Sequence, residues 1–224
     1  MSAELAPLWL SLRLAFFTTL VLLILATPLA WWLAMTQSRV KPVIEAVTAL
    51  PLVLPPTVLG FYLLILFSPN SVLGGFFVSL TGQSLTFSFT GLVVASVIYS
   101  LPFMVQPLQS AFEGVGRGPL EAAASLGASP IDRFFSVASP LALRGYITGL
   151  VLSFAHTLGE FGVVLMVGGN IPGRTKVISI AIYENVETLE YAQAHWLSAI
   201  LMGFSFAVLL LVFTVNRRFP VKVI

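Results

Sequence analysis

The 224-residue sequence contains no cysteine and few charged residues. Without cysteine there are no disulfides, thiolate metal sites or cysteine nucleophiles, and the redox compartment is left open. Charged residues make up 9% of the chain, whereas soluble domains carry about 25%. The mean hydropathy is +0.99, and 58% of the residues are hydrophobic. This composition indicates an integral membrane protein.

Clustered basic residues and nucleotide-binding motifs are absent as well. The net charge is only +2, from 11 Lys+Arg and 9 Asp+Glu, and the scattered bases form no stripe that would bind nucleic acid. The chain has no G-x-x-x-x-G-K-S/T sequence to cradle ATP phosphates, and no G-x-S-x-G or H-E-x-x-H motif. We therefore expect a chain that is not an enzyme, and any ATP hydrolysis would belong to a separate subunit.

Long uncharged runs predict membrane-spanning helices. Each crossing needs about 20 mainly apolar residues, because unpaired backbone groups are costly in hydrocarbon. Residues 46–112 contain no charged residue or histidine, and a single helix of that length would measure about 100 Å. This stretch must therefore turn back, and the turn-rich residues 68–88 provide the break. The predicted spans are residues 14–35, 56–67 with the preceding turn, 89–108, 141–167 and 196–215, all in one domain of residues 1–224.

The distribution of lysine and arginine favours one orientation. Five spans put the termini on opposite sides, and basic residues in short loops are retained on the cytoplasmic side. With the N-terminus outside and the C-terminus cytoplasmic, eight bases lie inside and three outside. The inner set is Arg39, Lys41, Arg117, Arg133, Arg144, Arg217, Arg218 and Lys222, and the outer set is Arg13, Arg174 and Lys176.

The cytoplasmic loop of residues 113–144 carries helix signals. Pro119 suits the first turn of a helix, and Glu121 favours the positive end of its dipole. Gly127 fits a left-handed cap, after which Ser129 and Pro130 suit the N-cap and first position of a second helix.

Two short helices that meet at a glycine elbow suit docking into a groove of a partner protein. The alternative is an interfacial helix that lies on the bilayer and buries Ile131, Phe134 and Phe135.

The same loop resembles a known motif. Glu121-Ala122-Ala123, with Gly127 four residues on and Pro140 after an apolar stretch, is similar to the EAA loop of ABC importer membrane subunits. Residues 50–64, LPLVLPPTVLGFYLL, and 158–175, LGEFGVVLMVGGNIPGRT, narrow the resemblance to molybdate permeases, with sulfate permeases close by. In that family the loop is the coupling helix that docks on the ATPase. The coupling residues implied are Glu121, Ala122, Ala123, Gly127, Ala128, Pro130 and Arg133.

The resemblance implies a biological assembly. It implies the all-α fold of an ABC type I importer in the bacterial inner membrane, working as a homodimer with two cytoplasmic ATPase subunits and a periplasmic oxyanion-binding protein. Molybdate is the expected substrate, with sulfate or tungstate as alternatives. No cofactor is expected on this chain, since ATP and Mg would bind the ATPase. The alternative of another class is a channel or secondary transporter, but the sequence shows no inverted repeats or matched intramembrane charges.

Prolines and a buried acid mark the candidate path. Pro51, Pro55 and Pro56 would kink the second span and free carbonyls that must face protein or water, unless the helix simply begins at Pro56. Glu160 is expected to accept backbone amides where the fourth span breaks near Gly162, with Arg174 or Lys176 as a partner.

Two further groups of polar residues could form a metal site or an anion contact. His156 and Glu160 share a helical face, but two ligands do not make a metal site, so no metal is expected. Asn170, Arg174 and Lys176 are candidate outer contacts for an anion or a partner, against the alternative that these residues only meet solvent.

The orientation can be tested with one introduced cysteine, because the natural chain has none. In intact cells, Ser129→Cys should react with a membrane-permeant thiol reagent and resist an impermeant one. Labelling of Ser129→Cys by the impermeant reagent would show that the loop lies outside.

Overall fold

The computed structural model describes residues 5–218, and all regular secondary structure in this range is helical. The prolines and glycines of the sequence divide the apolar runs into helices of very different lengths. The elements are α1 Ala6–Met35, α2 Lys41–Val53, α3 Pro56–Phe67, α4 Val72–Thr81, α5 Phe89–Val115, α6 Gly118–Ser125, α7 Pro130–Arg133, a π-helical turn Phe134–Ala138, α8 Ser139–Leu141, α9 Leu143–Leu158, α10 Gly162–Gly168, α11 Ile178–Glu187 and α12 Tyr191–Arg218.

Three to five of these segments are long and apolar enough to cross a membrane. α1, α5 and residues 191–210 of α12 qualify alone. α2 with α3 qualifies as a pair bent by 112°, and residues 130–141 with α9 as a pair bent by 70°. The predicted all-α membrane fold is confirmed, and two of the spans are bent. The predicted cytoplasmic base Lys222 lies outside the described residues.

Side-chain contacts show which helix ends lie together. Arg13 lies over the ring of Phe89 at 5.2 Å, and Trp31 meets Phe112 at 5.1 Å between ring centroids, so α1 and α5 are parallel. We call the end that contains residues 113–144 the loop end. At the far end, where α1 and α5 begin, the Ile178 amide donates to Ser11 Oγ at 2.8 Å. Lys41 pairs with Glu113 at the loop end, with 3.3 Å between Nζ and Oε1, whereas Lys176 lies two residues before Ile178 at the far end. The predicted inner base Lys41 and outer base Lys176 therefore lie at opposite ends.

The main core is formed by α1, α5 and α9. Leu108 and Phe112 of α5 are fully buried against Leu22 and Leu33 of α1. Gly149 of α9 lies so close to α5 that a Cβ there would be 2.8 Å from Met104 Sδ. Small residues at these positions let the helix backbones approach. Gly203 of α12 has no such contact in the described part of the chain, since nothing there lies within 4 Å of a Cβ at that position.

The turn-rich residues 68–88 contain a helix that the sequence reading missed. Ser71 caps α4 by accepting the Gly74 amide at 2.9 Å, and Gly82, with φ +69°, ends α4. Gly74 looked like a turn residue, but its small size serves packing of the α4 start against the carbonyl of Phe67. α4 is only 10 residues long and therefore too short to cross a bilayer.

The α5–α9 contact yields a stability prediction. A Cβ at Gly145 would lie 2.8 Å from the Pro107 carbonyl oxygen, so Gly145→Ala should force the helices apart at about 1–3 kcal/mol, lowering the Tm in detergent. Gly114→Ala is the matched control, because no atom of residues 5–218 lies within 4 Å of a Cβ there. Equal melting temperatures for the two variants would contradict the packing.

Candidate functional site

Two helix breaks lie against each other inside the fold. Pro55 and Pro56 both lack an amide hydrogen and disfavour helical backbone at the preceding residue, which ends α2 at Val53 and starts α3 at Pro56. A helix does begin at Pro56, as one expectation had it, but it follows another helix, α2, at an angle of 112°, so the segment is also kinked as the other expectation had it. Pro51 lies buried inside α2 and does not interrupt it.

The second break separates α9 from α10. α9 ends at Leu158 and α10 begins at Gly162, with Glu160 between them. A Cβ on Gly162 would lie 2.7 Å from Pro56 Cβ, so the two breaks are in direct contact. A cavity of about 540 Å³ opens at this junction, and its walls include Pro56, Thr57, Tyr99, His156 and Glu160. We call it the break cavity.

Glu160 is tied to neighbouring helices by hydroxyl groups. Its side chain is 4% exposed, and Oε2 accepts a hydrogen bond from Ser96 Oγ at 2.7 Å. Its backbone carbonyl accepts one from Ser179 Oγ at 2.5 Å. The expectation that the Glu160 carboxylate accepts backbone amides is wrong, because its hydrogen-bond donor in the described part of the chain is the Ser96 hydroxyl of α5. Oε1 has no hydrogen-bond partner among residues 5–218.

His156 faces α5 one turn before Glu160. Ser100 Oγ lies 2.9 Å from His156 Nδ1 and 2.9 Å from Thr157 Oγ1. The imidazole stacks on Phe103, with 3.9 Å between centroids. In the described part of the chain, no set of three His, Cys, Asp or Glu side chains that could hold a metal ion is found.

Sequence reasoning missed the α5 side of this site. Ser96 and Ser100 are isolated among apolar residues and look like tolerated small residues in a span. Their spacing of four residues matches the spacing of His156 and Glu160. Two pairs with the same spacing can face each other when their helices pack antiparallel. This matched spacing was the sequence signal that could have indicated the contact between the serines and the His156–Glu160 pair.

The outer basic residues are arranged differently from the expectation. Lys176 forms an ion pair with Glu184 of α11 instead of meeting Glu160. Hydrogen bonding to Lys176, together with Asn170, holds the pKa of Glu184 below its usual value. Lys176 is therefore largely neutralised, whereas Arg174 remains exposed on the same loop.

The predicted coupling loop forms two short helices joined by an elbow. Gly127 has φ +87°, its amide donates to the Ala124 carbonyl at 2.9 Å, and Ala128 donates to Ala123 at 3.0 Å. This is the left-handed cap that the sequence predicts. Ser129 Oγ accepts the Asp132 amide at 3.2 Å, and α7 begins at Pro130.

One side of the loop is anchored in the core and the other is open. Leu120 is buried, and Phe134 contacts Trp31 at 5.3 Å between ring centroids. Phe134 is therefore not on the bilayer-facing side that the interfacial alternative assigned to it. The exposed side includes Glu121, Ala122, Leu126, Gly127, Pro130, Ile131 and Phe135, while Ala123, Ala128 and Arg133 are half-buried.

Comparisons with known proteins give consistent matches. Residues 26–219 match the family described as "Binding-protein-dependent transport system inner membrane component". The chain is 56% identical to the molybdenum transport system permease protein ModB of Azotobacter vinelandii over 96% of this chain and 95% of that protein. It is 37% identical to ModB of Escherichia coli K12 over 80% of this chain and 78% of that protein.

A sulfate relative and a solved structure also match. The sulfate transport system permease protein CysT of Synechocystis is 34% identical over 84% of this chain and 66% of that protein. The crystal structure of a bacterial ABC transporter that imports the polysaccharide alginate contains a chain with a TM-score of 0.78 and 16% identity. That match covers 98% of this chain and 81% of the other, and it supports the fold.

Two neutral substitutions of Glu160 test whether its hydrogen bond with Ser96 stabilises the fold. Glu160→Gln keeps an acceptor for Ser96, so we expect near-normal yield of folded protein. Glu160→Leu leaves the buried Ser96 hydroxyl unpaired, at about 1–3 kcal/mol, and should lower the yield and the Tm in detergent. A Gln variant as unstable as the Leu variant would contradict the structural role of the Ser96 contact.

Proposed function

The chain belongs to the family of inner-membrane components of binding-protein-dependent transport systems, and on this premise we propose that it forms the path for molybdate in an ATP-driven importer. The resemblance of the chain to ABC importer membrane subunits is thereby confirmed. The observation that carries the choice of molybdate is the near-full-length similarity to the Azotobacter vinelandii molybdenum permease. Sulfate is the second candidate, supported by the more distant sulfate permeases, and tungstate is a further alternative.

The family implies two kinds of partner, a cytoplasmic ATPase and a substrate-binding protein. Because this chain has no phosphate-binding loop, we propose that ATP and Mg bind only the ATPase and that the chain carries no cofactor. The proposed assembly contains two copies of this chain, two ATPase subunits and one binding protein.

The loop of residues 113–144 is the proposed ATPase contact. Its support is the exposure of large apolar side chains beside the elbow, with Leu126 90% and Ile131 73% exposed. The proposed coupling residues are Glu121, Ala122, Ala123, Gly127, Ala128, Pro130 and Arg133. The anchors Leu120 and Phe134 would carry a displacement of the loop into α1 and α5.

The break cavity is the proposed part of the path within this chain. Broken backbone at membrane depth is tolerated only where it meets protein or water. The side with Pro55, Pro56 and Gly162 should therefore face the second copy across a water-filled path. Discontinuous helices form the substrate sites of many transporters for the same reason. Asn170, Arg174 and Lys176 lie at the far end and are proposed contacts of the binding protein or incoming anion.

Sidedness follows from the basic residues. Eight of the eleven lie inside when the N-terminus is outside and the C-terminus cytoplasmic. We propose this orientation in a bacterial inner membrane, with the loop end in the cytoplasm and the far end facing the binding protein.

The function and the coupling loop are tested together in proteoliposomes that contain this chain, its ATPase and its binding protein. The wild-type complex should take up radioactive molybdate when ATP is supplied on the loop side, and excess sulfate should compete weakly. Gly127→Val places a branched side chain where φ is +87°, which strains the elbow and adds bulk to the docking surface. We expect normal insertion, loss of uptake, and loss of ATPase stimulation by loaded binding protein.

Two outcomes would overturn these proposals. Stronger uptake of sulfate than of molybdate by the wild-type complex would make sulfate the substrate. Full uptake and full ATPase stimulation in the Gly127→Val complex would contradict the coupling role and favour the alternative of a helix that lies on the bilayer surface.

A further inference from the structure

The break cavity offers neutral hydrogen-bond donors rather than cations. Its volume of about 540 Å³ falls within the range of small-molecule sites, roughly 300–1,000 Å³. Thr57, Tyr99 and His156 are the wall residues with hydroxyl or imidazole groups, and no Lys or Arg among the described residues lines the cavity. The carboxyl group of Glu160 is turned into the wall, since Oε2 accepts from Ser96 and Oε1 is buried.

The His156 ring is held in a fixed position. Phe103 stacks on one face with an interplanar angle of 25°, and the ring of Tyr99 lies 4.8 Å away. Ser100 Oγ bonds Nδ1 at 2.9 Å. A ring fixed by two aromatic contacts and one hydrogen bond directs its remaining nitrogen, Nε2, without further loss of side-chain entropy.

An inventory of donors assigns the proton on this ring. Thr157 is 2% exposed, and its hydroxyl has Ser100 as its hydrogen-bond partner in the described part of the chain. If Ser100 donated to Thr157, the buried Thr157 proton would lack an acceptor, which is costly. Thr157 therefore donates to Ser100, and Ser100 donates to His156 Nδ1. In a neutral imidazole the proton is then on Nε2, which becomes a donor.

We propose that His156 Nε2–H donates a hydrogen bond to the oxyanion as it passes the break cavity, with the hydroxyls of Thr57 and Tyr99 as further donors. This inference rests on the proposed function and names the residues that would contact its substrate. Neutral donors suit a path, because a transported ion must bind well enough to enter and weakly enough to leave.

Two substitutions of His156 distinguish its nitrogens. Asn places its amide near the position of Nδ1, which keeps the Ser100 contact but removes the donor to the cavity. Gln is longer and places its amide nitrogen near Nε2. We expect His156→Asn to lower molybdate uptake per ATP hydrolysed by about tenfold, the effect of one lost hydrogen bond to a charged group, and His156→Gln to restore it to within about twofold.

A third variant does not touch the packing around His156. Thr57 is exposed on α3, so Thr57→Val removes a hydroxyl from the cavity with little effect on folding. It should reduce uptake per ATP hydrolysed in the same direction, by about threefold for a weaker neutral hydrogen bond. Stimulation of ATP hydrolysis by loaded binding protein should stay normal in all three variants, which separates a defect in the path from a defect in ATPase coupling.

The outcomes separate this inference from the proposed function. Absence of molybdate uptake by the wild-type complex would refute the function itself. Wild-type uptake per ATP in both His156→Asn and Thr57→Val would refute the donor role while leaving the function intact. An equal loss in His156→Asn and His156→Gln, with Thr57→Val unaffected, would also refute it, because the imidazole would then serve only packing.

Discussion

The need to satisfy every backbone hydrogen bond inside a membrane governs the rest of this structure. The helical backbone is interrupted between α2 and α3 and again between α9 and α10, and each break leaves backbone groups without helical partners. The structure places the α2–α3 break and the α9–α10 break in contact through Pro56 and Gly162. Both irregular segments are thereby gathered in one place, where protein atoms and a cavity surround them. The proposed path follows from this arrangement, because a region that tolerates water can also admit a hydrated ion.

Hydroxyl groups provide the local compensation. Ser96 satisfies one oxygen of Glu160, Ser179 satisfies its carbonyl, and Ser100 connects His156 with Thr157. Serine and threonine are small enough to allow close helix packing and polar enough to pair with buried groups. The result is a polar strip between α5 and α9.

The sequence predicted the helical class, the approximate spans and both helices of the loop, because hydrophobic runs, proline and the Gly127 cap act locally. It failed where a residue's role depends on a neighbour in another structural element. Gly74 looked like a turn signal, yet its role is the approach of α4 to the Phe67 carbonyl. Lys176 looked free for an anion, yet Glu184 neutralises it from the next helix. Ser96 and Ser100 bond Glu160 and His156 only because α9 packs beside α5. The order of the residues alone does not determine that packing.

The length of α5 connects two features that lie far apart. This helix has 27 residues, or about 40 Å at 1.5 Å per residue, and Phe112 near its C-terminus meets Phe134 of the loop at 6.0 Å between ring centroids. Ser96 and Ser100 in its N-terminal half bond Glu160 and His156. Hydrogen bonds tolerate only a few tenths of an ångström of stretch, so an axial slide of α5 by a single residue step would uncouple both serines together. A displacement of the loop along the axis of α5 would therefore reach the break cavity directly, and it would break the hydrogen bonds of Ser96 and Ser100 there.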